Sequence, residues 1–340
     1  MSETVRIAMD AMGGDNAPGE IIAGVIDALK EAEDVIVYLV GKEDVIASEL
    51  SKYSCDEKRI EVVHASEVIE MAEPPVMAVR RKKDSSIVRA LNLVKDGTCD
   101  AFVSAGSSGA ILVGGQLIVG RIPGVERAPL APIIPTEKGA SLLIDCGANV
   151  DARAEQLVQF ARMGSIYAEN ALGIEKPRVG IVNIGAEEEK GNALVKETIP
   201  LLKECDDINF TGCVESRDIP FGAADVIVCE AFTGNAILKL YEGEATFILK
   251  ALKRAMMTNT RSKLGALLLK PALKEVLKDF DVKQYGGAPL LGLNGLVVKT
   301  HGSAEAVEVK NSILQCRTFK AQHINEKIKE NMKLGSDDGI

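Results

Sequence analysis

The feature that most constrains this chain is a repeated local order. A short apolar run, often β-branched, is followed by a polar loop bearing glycine and then by a longer stretch with helical spacing of apolar positions. Val5–Asp10, Val35–Val40, Ile60–His64, Ala101–Ser104, Leu142–Asp145, Val179–Asn183, Val226–Cys229 and Leu296–Val298 read as strands. Residues 20–33 place Ile21, Ile22, Val25, Ile26 and Leu29 on one helical face. Strands with so little polar alternation are expected where both faces of a sheet are covered. The pattern predicts an α/β fold, a three-layer α/β/α sandwich around a largely parallel sheet. No linker, repeat or composition step divides the chain, so residues 1–340 read as a single catalytic domain. A last long helix is expected over residues 304–333, with a frayed tail from Gly335.

Composition narrows the function classes. An apolar share of 46% with 26% charged residues supplies a full core and excludes a disordered chain. A net charge of −9, no Trp and 4% aromatics argue against nucleic acid as a partner. The seven cysteines form no CxxC pair and read as reduced, buried thiols of a cytoplasmic protein, not as a disulfide framework or zinc site. The first ten residues lack the apolar region of an export signal. Residues 101–120 carry no charge and are long enough to span a bilayer. Gly106, Gly109, Gly114, Gly115 and Gly120 make a strand, a glycine loop and a buried helix the better reading. Neither GxGxxG after a strand, nor GxxxxGK[ST], nor GxSxG occurs, so no nucleotide cofactor, no metal and no serine nucleophile are expected.

In open parallel sheets, ligands bind beyond the carboxyl ends of the strands. The polar loops fall there: Asp10-Ala-Met-Gly13-Gly14-Asp15, Ser104-Ala-Gly-Ser107-Ser108-Gly109, Asp145-Cys-Gly-Ala-Asn149, Asn183 through Lys190 to Asn192, and Glu230-Ala-Phe-Thr233-Gly234-Asn235. Glycine lets backbone N–H groups approach a ligand, and each following helix offers its N-terminus to an anion. Ser107, Ser108 and Thr233 add hydroxyls, Asn149 and Asn183 neutral amides, and Lys190 a fixed charge. His301 follows a strand and could reach the same crevice. Asp10 and Asp15 would repel an anion, so they are expected to cap helices or to anchor a cation such as Lys190. Five such loops point to one anion-binding crevice.

At these loops the chain resembles the bacterial PlsX family, the phosphate acyltransferases of phospholipid synthesis. The resemblance runs through Asp10-Ala-Met-Gly-Gly-Asp-Asn-Ala-Pro18, Arg80-Arg-Lys-Lys83, Gly120-Arg-Ile-Pro-Gly124, residues 145–151 and 183–192, Phe232-Thr-Gly-Asn235 and Tyr285–Leu293, and covers nearly the whole chain. Ser107-Ser108, Cys213 and Glu230-Ala231 stand where the family commonly has a polar residue then Thr, Asn, and Asp-Gly. The resemblance implies a sheet similar to those of isopropylmalate dehydrogenases and phosphotransacetylases, without nicotinamide or metal. It implies transfer of an acyl chain from acyl carrier protein to inorganic phosphate, with Lys190 binding phosphate and Asn235 serving the oxyanion. A coenzyme A-dependent phosphotransacetylase, a decarboxylating dehydrogenase and a membrane-surface scaffold remain as alternatives.

Two surface segments bear on partners. Arg80, Arg81, Lys82 and Lys83 form the densest basic run and would steer an acidic carrier. Between Lys250 and Lys278 there are eight basic residues and one acidic residue. There Leu264, Leu267 and Leu268 share one helical face, and Leu273, Val276, Leu277 and Phe280 another, with Pro271 expected to break the helix between them. Such a protruding basic amphipathic segment, at about 250–280, suits an anionic lipid surface and a peripheral location on the inner face of the cell membrane. A second copy of the chain and a downstream glycerol-phosphate acyltransferase complete the expected partners.

Overall fold

The computed structural model describes residues 4–54, 56–279 and 282–337. Cys55 and Phe280 lie outside the described residues. The strands are β1 (Val5–Asp10), β2 (Val35–Gly41), β3 (Ile60–His64), β4 (Ala101–Ser104), β5 (Ile133–Thr136), β6 (Gly139–Ile144), β7 (Arg178–Asn183), β8 (Asn209–Glu215), β9 (Val226–Val228), β10 (Ala288–Leu290) and β11 (Leu296–Lys299). The helices are α1 (Gly19–Glu31), α2 (Glu43–Leu50), α3 (Pro75–Arg81), α4 (Ser86–Lys95), α5 (Ser108–Gly114), α6 (Ala154–Ala171), α7 (Ala193–Lys203), α8 (Ala231–Met256), α9 (Thr260–Asp279), α10 (Ala306–Ala321) and α11 (Ile324–Asp337).

The strands form two sheets where the sequence suggests one. The first has the order β10-β11-β4-β1-β2-β3 and the second β5-β6-β9-β7-β8. Each is parallel except for one antiparallel edge strand, β10 or β5. Helices cover both faces, as the apolar strands require. On β1, Ile7 and Met9 pack toward α1 and α10, while Ala8 faces the cluster of Ile87, Leu91 and Ile111 from α4 and α5. On the second sheet, Ile144 and Val228 join the cluster of α6 and α7, while Leu143 and Ile227 meet Ile237, Leu238 and Tyr241 of α8. The segment at Leu130 joins the sheets: it bridges Leu290, its N–H donates to the Asp145 carboxylate, and its carbonyl accepts the Cys146 N–H at 2.9 Å.

Two expected elements differ. The C-terminal helix is interrupted at His323, whose φ of 53° turns the chain between α10 and α11, and α11 continues to Asp337. Pro271 does not break α9, which runs unbroken past it. Pro271 supplies no N–H to the Leu267 carbonyl, which this exposed helix leaves to water. From Asn235 to Leu277 no residue is fully buried, and beyond Tyr241, whose hydroxyl donates to the Pro135 carbonyl, α8 and α9 stand out from the sheets as a helical pair. Residues 101–120 adopt the strand, loop and helix expected of them. No described helix is long and apolar enough to cross a membrane.

Candidate anion-binding site

Because β11, β4 and β1 are neighbours, their carboxyl ends bring three loops together. Asp10 closes β1 with its side chain fully buried. Ser104 Oγ donates to Asp10 Oδ2 at 2.6 Å and itself accepts the Gly106 N–H at 2.9 Å, while the Met12 N–H donates to Asp10 Oδ1. Burial pushes the Asp10 carboxyl above its usual range, and the Ser104 and Met12 bonds pull it back. The two loops touch backbone to backbone: a Cβ on Gly13 would stand 2.7 Å from the Gly106 nitrogen, so only glycine allows this approach. The third loop is tied in by the Asp15 N–H to the Gly302 carbonyl, 2.7 Å, and by the Asn16 amide to the carbonyls of Ser303 and Ala304. Asp10 therefore fastens loops through its carboxylate and Asp15 through its backbone N–H, and Lys190 instead lies against Glu187. Ser107 caps α5 by accepting the Ala110 N–H, Ser108 opens that helix half-buried, and Gly109 packs on Pro75. His301 lies exposed at the edge of this group, its Nδ1 2.8 Å from Ser303 Oγ.

A second group forms at the ends of β6, β9 and β7. The Asp145 carboxylate receives N–H groups from Leu130, Gly147, Ala148 and Asn149, and the Asn149 side-chain amide at 2.7 Å. Burial raises its pKa against those bonds. The Asn149 amide also donates to the Ala128 carbonyl. Both of its hydrogens are spent, so Asn149 fixes its loop and does not donate to an anion. Asn183 is spent likewise: its amide donates to the Glu187 carbonyl and to Cys213 Sγ, and its oxygen accepts the Ile184 N–H.

The start of α8 corrects a further expectation. Its first turn is not open, because the Glu230 carboxylate accepts the N–H groups of Phe232 and Thr233 and the Thr233 hydroxyl. Thr233 thus serves the helix cap. Gly234 presses on β6 so closely that a Cβ there would fall 1.9 Å from the Asp145 carbonyl oxygen. One residue on, Asn235 is exposed with no side-chain partner among the described residues, its oxygen 4.0 Å from where a Gly147 Cβ would stand. Lys190 is exposed on the loop after β7, 2.8 Å from Glu187. Its hydrogen bond to Glu187 raises its pKa and secures its charge. Between these two elements opens a cavity of about 460 Å³ bordered by Asn183, Asn192, Glu230 and Thr233.

Lys299 ends β11 beside the first group and escaped the sequence reading. Burial pushes its pKa down, helped by the charge of Lys239 and opposed by Glu308 and Glu242. The signal was available: a lysine in the last position of an otherwise apolar strand. In the basic run, Arg80, Arg81 and Lys83 are exposed, but Lys82 is committed to Glu73 at 2.6 Å and to the Val68 carbonyl. That helix adjoins the site, with Pro75 under Gly109 and Met71 near Gly302.

The fold and these loops define a class, the α/β enzymes whose polar, glycine-bearing loops gather at the carboxyl ends of parallel strands. Among solved structures the chain is similar to a phosphotransacetylase from Streptococcus pyogenes, with a TM-score of 0.60, 16% identity and 94% of each chain covered. It is likewise similar to the EutD phosphotransacetylase from Staphylococcus aureus, with a TM-score of 0.57, 17% identity and the same coverage. At those identities the likeness is one of fold. The family model described as "Fatty acid synthesis protein" matches residues 5–327. A phosphate acyltransferase from Clostridium botulinum (strain Alaska E43 / Type E3) is 52% identical, with 96% of this chain and 98% of that protein covered. One from Clostridium beijerinckii is 50% identical over the same shares. The chain belongs to the phosphate acyltransferase (PlsX) family.

Proposed function

We propose that this chain transfers a fatty acyl group from acyl carrier protein to inorganic phosphate, giving acyl phosphate and the free carrier thiol. The observation that carries this reading is that Lys190, on the loop after β7, and Asn235, in the first turns of α8, are both exposed on elements whose neighbouring residues line one cavity. A phosphate oxygen attacks the thioester carbonyl carbon. The tetrahedral intermediate then collapses with cleavage of the C–S bond, and the thiolate takes a proton from solvent. Thioester and phosphate are reactive enough without a protein nucleophile, so the work left is positioning and oxyanion stabilisation. Lys190 holds phosphate, and the Asn235 amide donates to the developing oxyanion. Gly13, Gly14, Ser107, Ser108 and Gly109 shape the adjoining loops, with Lys299 as a further cation at the strand ends.

Arg80, Arg81 and Lys83 receive the acidic carrier next to those loops. The α8–α9 pair carries the basic surface together with Leu264, Leu267 and Leu268, exposed to 61%, 66% and 76%. It fits attachment to an anionic membrane, where a lipid-like product is released. Exposed Phe247, Ile248, Leu249 and Leu252 on α8 favour a second copy of the chain as a neighbour. The test is release of carrier thiol by purified protein from acyl carrier substrate. Release that needs inorganic phosphate supports the reading. Release that is independent of phosphate, or that occurs only with a coenzyme A thioester, overturns it.

A further inference from the structure

The cavity between the Lys190 loop and the start of α8 has Asn183, Asn192, Glu215, Ser216, Arg217, Glu230 and Thr233 at its border, and several of these are already engaged in holding the frame. Asn183 is spent on Glu187, Cys213 and Ile184. Asn192 Oδ1 caps α7 through the Val195 N–H at 2.9 Å. Glu230 caps α8, and Glu215 accepts from Arg217 at 3.2 Å. Opposite Ser216 and Arg217 the lining is apolar: Leu157, Ile181, Val182, Leu194 and Val195 along the wall, and Ile184 at the mouth. Leu157, Ile181 and Val195 are buried members of the main core cluster, so the wall is held rigidly. Ile184 is 80% exposed, an apolar side chain turned to water beside the site. A volume of about 460 Å³ falls in the range in which pockets enclose most of a small ligand's surface. Along such a wall discrimination comes from shape and apolar contact.

We propose that this cavity receives the acyl chain of the substrate, with the carbonyl end toward Lys190 and Asn235 and Leu194 setting how long a chain fits. This rests on the acyltransferase reading and assigns the part of the substrate that the anion-binding loops do not touch. The chain enters past Ile184 and lies along Leu194 and Val182, so its burial holds the thioester beside the phosphate.

The test uses two variants of the full chain. Leu194→Phe narrows the wall. It should lower kcat/KM for a long-chain carrier substrate on the order of tenfold relative to a short-chain one, the effect expected of a changed apolar fit. Ile184→Trp alters an exposed side chain, so folding is spared, and it should shift the same ratio. It also gives a protein with no Trp of its own a single reporter. Its emission should move to shorter wavelength and saturate with dodecyl phosphate, and stay unmoved with inorganic phosphate alone. An unchanged long-to-short ratio in both variants overturns the assignment. If the parent protein turns over no acyl substrate, the acyltransferase reading has failed. The emission response to dodecyl phosphate then decides the cavity by itself, a saturable shift sustaining it and no shift overturning it.

Discussion

Substitution of Gly234 by alanine tests how the end of β6 positions the reactive side chains. A Cβ on Gly234 would stand 1.9 Å from the Asp145 carbonyl oxygen and 3.0 Å from Cys229 Sγ. Relief to ordinary contact requires a shift of about 1.5 Å. Asp145 cannot supply it: its N–H donates to the Cys229 carbonyl, and its carboxylate is held by five donors. The first turn of α8 must therefore move, carrying Asn235 with it. Overpacking of this kind costs about 1–3 kcal/mol, and alanine's better helix propensity returns up to about 1 kcal/mol. A net loss of about 1–2 kcal/mol should lower the thermal midpoint by about 1.5–3 °C in a chain of this length. Activity should suffer more, because a 1 Å displacement of a reacting group can cost on the order of 100-fold. Gly243→Ala in the same helix is the control, since a Cβ there meets nothing within 4 Å. It should keep full turnover and gain roughly 0.5–1 kcal/mol. Phosphate-dependent thiol release and thermal melts of the two variants decide the matter. Equal stability and equal turnover would refute the idea that the α8–β6 approach sets the site.

Four further outcomes are expected. Lys190→Ala and Asn235→Ala should each lose on the order of 100-fold in turnover with unchanged melting, since both residues are exposed; near-normal turnover would remove them from the chemistry. At the foot of the second sheet, burial raises the Asp225 carboxyl, but the Arg178 side chain and N–H more than offset this and hold it below its usual range. Its stabilisation is thus present above the ordinary Asp value and lost as pH falls through the lowered one. Asp225→Asn should cost about 1.5–3 kcal/mol near neutrality, toward the lower end because Arg178 is partly exposed, and the gap from the parent in denaturant melts should close below about pH 4. Changing Leu264, Leu267 and Leu268 together to Glu should release the protein from anionic vesicles on flotation while solution turnover and melting hold; retained flotation moves the lipid contact elsewhere. Arg80→Glu with Arg81→Glu should raise KM for the carrier substrate and flatten its salt dependence, whereas Lys82→Ala should instead lower stability through the lost Glu73 contact.

Every interior strand was legible, and so was one edge strand, β3. β1, β4, β7 and β9 are interior and largely buried. The missed strands β5, β8 and β10 are all at sheet edges. β5 and β10 contain Pro135 and Pro289, which an interior strand would exclude and an edge admits. β8 carries Gly212 at φ 102° beside a register shift against β7, and its polar residues need no partner sheet. The division into two sheets follows from the same blindness, because β5 and β8 bound the second sheet. At the site, strand-end loops were legible because glycine and small polar residues mark them. Which polar side chains remain available was not. Asn149 is spent on Ala128, Asn183 on Glu187, Thr233 on Glu230 and Lys82 on Glu73, through contacts that no residue type announces. Glutamate is an unusual N-cap, so nothing in Glu230-Ala-Phe-Thr233 pointed to a closed helix start. Asn235, exposed in the first turns of α8, has no side-chain partner among the described residues, and Lys190 is exposed on the loop after β7 with Glu187 alone beside it. The spent residues hold the frame, and exposure is what separates Lys190 and Asn235 from them.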